Sequence, residues 1–123
     1  MSKELLLKKL LDVKDAIVRI ENSFSKIDRA ENFLDNPDAM DKMDAISMRL
    51  QAIGEVIKKI QKEYPELLNT HPEIDWKGVI NFRDKISHHY FDIDAEEIFK
   101  ICKHHLPVLS NTISALIEQQ RIK

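Results

Sequence analysis

The chain has 123 residues, 43% of them apolar and 33% charged, and its 19 Lys and Arg against 21 Asp and Glu leave a net charge of -2. That length fits a single domain able to bury its own core. The balanced charge excludes nucleic-acid binding by bulk attraction, and no apolar run approaches the roughly 20 residues of a membrane-spanning helix.

The N-terminal segment spaces Leu6, Leu10, Val13, Ile17, Ile20, Phe24 and Ile27 in alternating steps of four and three, which predicts one helix face, with Ser2 as its cap. Leu5, Leu7, Leu11 and Val18 widen this stripe beyond a coiled-coil seam, so a bundle helix is expected. Asn36 followed by Pro37 reads as the cap and first position of a second helix, with Met43, Ile46, Leu50, Ile53, Ile57 and Ile60 facing the first. Gly54 lies on that apolar face. A mid-helix glycine costs about 1 kcal/mol relative to alanine, so its place there predicts close approach of another helix backbone.

Tyr64-Pro65 and Asn69 to Pro72 are expected to end the second helix in a loop, after which Asp75 caps a third helix starting at Trp76. Asp94 with Glu97 reads as an Asp variant of a capping box opening a fourth helix along Ile98, Phe99, Ile101 and Cys102. Pro107 marks a kink or a new first turn, followed by Leu109, Ile113, Leu116 and Ile117. With only 2 glycines, Gly-rich phosphate loops and doubly wound sheets are disfavoured. The expected fold is all-α, an up-and-down bundle of four to five helices forming one domain over 1–123.

The third helix carries the unusual chemistry. At about 100° per residue, Arg83 falls within the apolar arc formed by Trp76, Val79, Phe82 and Ile86. An arginine there needs a carboxylate partner, an exit to the edge, or an anionic ligand, and its planar fork suits a phosphate. On an unbroken helix Tyr90 shares the face of Arg83, whereas His88 points about 140° away. Arg83 and His88 converge only if the helix loosens near His88 or if a second subunit completes the site, as a two-fold dimer could. Histidine, which ordinarily titrates near neutrality, can then act as general acid and base on a phosphodiester. RNA supplies its own nucleophile in the 2′-hydroxyl, so no metal is required.

Arg83, His88 and Tyr90 together spell R-x4-H-x-Y, and in this the chain resembles the HepT family, HEPN-domain toxins of prokaryotic toxin-antitoxin pairs. Ile53-Gly54-Glu55, His71-Pro72-Glu73-Ile74, Tyr90-Phe91, Ile93-Asp94 and Leu106-Pro107 are similar to that family's sequence as well, over about residues 43 to 117. Phe82 and Asp84 depart from it, standing where many relatives carry a smaller apolar residue or Met and an Asn. The resemblance implies a HEPN-like helical bundle and a metal-independent, homodimeric endoribonuclease with no cofactor. Arg83 would hold the scissile phosphate and His88 would serve as general acid/base, with Asp84, Ser87 and His89 as supporting candidates. Tyr90 would be the site at which a cognate minimal nucleotidyltransferase antitoxin attaches AMP, blocking the cleft by size and charge. The alternative is a non-catalytic helical partner that docks onto a nucleotidyltransferase and binds nucleotide or substrate.

Other features read more plainly. Trp76 is expected as a core anchor and Cys102 as a small buried residue, and neither His88-His89 nor Cys102 with His104 and His105 has zinc spacing, so no metal site is expected. A lone cysteine without a secretory leader gives the expectation of a reducing, cytoplasmic setting. Between Trp76 and Phe91, Lys77, Arg83 and Lys85 outweigh Asp84, a modest patch through which a local cleft could meet RNA.

Overall fold

The computed structural model describes residues 1–122. Among these residues six α-helices are formed: α1 (Lys3–Phe24), α2 (Pro37–Glu63), α3 (Pro65–Asn69), α4 (Trp76–His88), α5 (Ala95–Lys100) and α6 (Leu106–Ile122). Short 3-10 turns occupy Ala30–Leu34 and Tyr90–Asp92, and a π segment, Ile101–His105, joins α5 to α6 in one continuous helical run. No strand occurs among the described residues. The expected all-α bundle is therefore the fold, and no described helix is long and apolar enough to cross a membrane.

The apolar stripes do what their spacing dictates. Leu6, Leu10, Val13, Ile17 and Ile20 from α1, Ile46, Ile53, Ile57 and Ile60 from α2, and Leu106, Ile113, Leu116 and Ile117 from α6 enter one core. Helix α1 packs against α2 and α6, and α4 lies along α2. Leu5, Leu11 and Val18, the wider part of the α1 stripe, stay exposed, because neighbours cover only the central stripe. Ile27 is buried beyond the end of α1, in the connection that the Phe33 ring plugs from the following turn.

The predicted caps form. Ser2 accepts a hydrogen bond from the Leu5 amide, Asn36 from Ala39, Asp75 from Gly78 and Asp94 from Glu97, each satisfying an amide the helix leaves unpaired. Half of the expected capping box is absent: the Glu97 carboxylate turns to Lys85 Nζ at 2.8 and 3.0 Å instead of returning to its own helix end. The loop expected after Tyr64 begins with the short helix α3, since Pro65 restarts helical geometry at its first position. Pro107, lacking an N–H, cannot bond to the carbonyl one turn back, and the chain answers with the π segment just before it, in which the Leu106 amide bonds to the Ile101 carbonyl.

Candidate functional site

Three local features place α4. The Asp75 carboxylate caps its start, accepting from the Gly78 amide at 2.9 Å. Trp76 is buried, and its Nε1 donates to the Leu68 carbonyl at 2.9 Å and to the His71 carbonyl at 3.1 Å, pinning the first turn to the end of α3. Gly54 then admits the helix: a Cβ there would stand 2.3 Å from Arg83 Cβ and 3.3 Å from the Val79 carbonyl oxygen. The close approach expected at Gly54 is thus made by the very turn of α4 that carries Arg83.

Arg83 lies at the α2–α4 seam with 18% of its side chain exposed. Its Nη2 donates to Glu55 Oε2 at 2.9 Å and its Nη1 to Asp84 Oδ1 at 3.0 Å. Of the three resolutions left open by its position, carboxylate pairing is the one adopted. Nε is buried and has no partner among the described residues, so the guanidinium is not saturated. Hydrogen bonding by Arg83, reinforced by its charge, holds the Glu55 carboxyl below its ordinary range. The Asp84 carboxyl is lowered as well, first by its hydrogen bond from Arg83 and then by Lys58, whose Nζ lies 3.5 Å away.

A row of such pairs runs along the seam. From α2, Asp44, Gln51 and Glu55 meet Tyr90, Ser87 and Arg83 respectively, a descending order that reflects the antiparallel run of the chain along α2, and Lys58 meets Asp84 beside Arg83. Gln51 Nε2 donates to Ser87 Oγ at 2.9 Å, and the Tyr90 hydroxyl donates to Asp44. That bond, with some burial, pushes the Tyr90 phenol up to about 12, so the hydroxyl keeps its proton.

Two sequence-based expectations are corrected here. Tyr90 does not share a helix face with Arg83, because α4 ends at His88, His89 leaves helical geometry at φ -137 and ψ 44, and Tyr90 opens a separate 3-10 turn. The basic patch is also largely compensated: Arg83 is paired with Glu55 and Asp84, and Lys85 with Glu97. His88 and His89 are exposed. The His88 imidazole has no hydrogen-bond partner among the described residues, and His89 Nδ1 stands 3.8 Å from Asp92. Among the supporting candidates, Asp84 pairs with Arg83 and Ser87 with Gln51, whereas His89 makes only this local contact. The loosening expected near His88 does not occur before it: α4 is helical through His88 and ends at His89, so within one copy of the chain His88 keeps its helical offset of about 140° from Arg83.

Asp44 and Gln51 escaped the sequence reading, and Glu55 entered it only as part of a resemblance. Their spacing with Lys58 does mark one face of α2, but that face is polar and borders the apolar stripe, so periodicity alone says nothing of what it meets. Cys102 is buried, which pushes its thiol up to about 12. No cluster of three or more potential metal ligands is found among the described residues. An apolar cleft of about 340 Å³ between α4 and the α5–α6 run is lined by Leu50, Ile53, Val79, Phe82, Ile101 and Leu106 among others, and none of Arg83, His88 and Tyr90 borders it.

A family model described as Ribonuclease HepT-like matches residues 13–116, extending the similarity into α1. A protein named "Probable ribonuclease HepT" from Thermococcus cleftensis is 34% identical over 109 residues, 87% of this chain and 91% of that protein. Two proteins of Methanocaldococcus jannaschii, both named "Putative RNase", are also similar. One is 36% identical over 63 residues, 51% of this chain, and the match spans only half of that protein's length. The other is 29% identical over 109 residues, 89% of this chain and 82% of that protein. No solved structure matches significantly.

Proposed function

The chain belongs to the HepT-like ribonuclease family, and from that premise we propose that it is a metal-independent endoribonuclease toxin whose reaction is carried by Arg83 and His88. Arg83 binds the scissile phosphate, exchanging one of its carboxylate partners for a phosphate oxygen and offsetting the charge that develops there. His88 takes the proton from the 2′-hydroxyl as that oxygen attacks phosphorus, and an imidazolium gives a proton to the departing 5′-oxygen. A 2′,3′-cyclic phosphate and a free 5′-hydroxyl result. The cleft is completed by a second copy of the chain, which supplies its own arginine and histidine. Tyr90 accepts AMP from a cognate minimal nucleotidyltransferase antitoxin, and this modification silences the enzyme.

The observation that carries this reading is Arg83 itself. An unsaturated guanidinium is held at the seam by two carboxylates, on a turn that α2 accommodates only because residue 54 is glycine. The exposed, unpartnered His88 imidazole at the end of the same helix is able to exchange protons with a bound substrate.

Purified protein separated from any partner is expected to cleave RNA in the presence of EDTA, and His88→Ala to lose that activity with unchanged thermal unfolding. Full activity of His88→Ala would overturn the assignment. Intact mass after co-expression with a neighbouring nucleotidyltransferase should show added AMP units that disappear in Tyr90→Phe.

A further inference from the structure

The segment that follows α4 is weakly tied down. The turn Tyr90–Asp92 buries none of its residues, and Phe91 is completely exposed. Its backbone bonds, Asp92 amide to His89 carbonyl at 3.0 Å and Ile93 amide to Tyr90 carbonyl at 3.2 Å, are local. Such bonds fix the shape of the turn but not its place on the domain. That place is set by side chains: Ile93, directly after the turn, packs against the core, and on the α2 side Gln51 holds Ser87 just before His88 while Asp44 holds Tyr90 just after it. Asp44 and Gln51 stand two turns apart on one face of α2, so His88 is bracketed by two anchors on a single rigid helix.

We propose that Asp44 is a positioning residue: by accepting the Tyr90 hydroxyl bond it latches the turn to α2 and sets where the His88 imidazole stands, and attachment of a nucleotidyl group to Tyr90 opens that latch. The inference rests on the reading of His88 as acid and base and of Tyr90 as the acceptor. In the transfer, Tyr90 Oη attacks the α-phosphorus of ATP, the bond to the bridging oxygen breaks, pyrophosphate leaves, and the phenolic proton passes to solvent. The aryl ester oxygen that remains has no hydrogen to donate. A phosphodiester anion now stands beside the Asp44 carboxylate, and attraction is replaced by like-charge repulsion. The turn moves away from α2, and His88 moves with it. Modification therefore acts by displacing His88, beyond any blocking of the cleft.

A misplacement of a catalytic group by about 1 Å can cost about 10²-fold in rate. Asp44→Ala and Tyr90→Phe each remove the latch without adding bulk, and each is expected to lower kcat for RNA cleavage by about 10- to 100-fold with KM little changed. The double variant should be no slower than either single one, because both remove the same contact. Asp44→Asn, whose amide oxygen still accepts, should restore much of the rate. Amide hydrogen exchange at residues 87–93 should quicken in both single variants, while exchange in α1 stays as in the wild type.

Wild-type rates in Asp44→Ala or Tyr90→Phe, with His88→Ala inactive, would overturn the latch and leave the ribonuclease reading standing. Losses that multiply in the double variant would overturn it too. If His88→Ala cleaves normally, the assignment of His88 as acid and base fails. The exchange measurement then decides the tether alone, and unchanged exchange at 87–93 would overturn that as well.

Discussion

Replacing Gly54 by alanine tests the whole placement of the site in one step. At an open mid-helix position this change stabilises, by about 1 kcal/mol, since alanine is the better helix former. Here the new Cβ would sit 2.3 Å from Arg83 Cβ and 2.9 Å from Arg83 Cγ, against the 3.4 Å at which ordinary contact begins. Arg83 Cβ is fixed to the α4 backbone, so the strain cannot be relieved at the flexible end of the side chain. The helix has to withdraw by about 1 Å or tilt. Overpacking of this kind costs typically 1–3 kcal/mol, and subtracting the propensity gain leaves a net loss of up to about 2 kcal/mol. For a domain of this size each kcal/mol moves the midpoint by roughly 3–6 °C. Thermal unfolding by circular dichroism should therefore show a lowered Tm, and RNA cleavage should fall further than stability does, because the displaced residue is Arg83. A raised Tm would refute the reasoning, showing that α2 and α4 do not meet at residue 54.

Two further outcomes follow from the charges and the burial. The Glu55 carboxyl is lowered by its hydrogen bond from Arg83 and by that residue's charge, so its titration followed by NMR should move up toward about 4.3 in Arg83→Ala. The same depression makes the pair stabilising above about pH 4.3, with the contribution lost as pH falls through the folded value; Arg83→Ala should flatten that part of the acid limb. Burial, which holds Cys102 up to about 12, should make it inert to thiol reagents in the native protein and reactive on unfolding, as an alkylation time course with mass detection would show.

The sequence by itself determined where α1, α2, α4 and α5 begin and which faces of the long helices are buried. Spacing in threes and fours set the buried stripes of α1, α2 and α6, and Ser2, Asn36, Asp75 and Asp94 marked where helices begin, because these signals are local and act through the backbone of the same few residues. Gly54 announced a close crossing, and Arg83 announced itself as a charge needing an answer. What answered was settled only in three dimensions. Glu55 and Asp44 are ordinary exposed carboxylates of α2 until the antiparallel run of α4 brings Arg83 and the Tyr90 turn against them. The end of α4 at His88 likewise took Tyr90 off the face that helical periodicity assigns to it. Periodicity tells which face of a helix is apolar, but a polar row on its border acquires meaning only from the helix it meets, and that contact spans a sequence separation no local signal encodes.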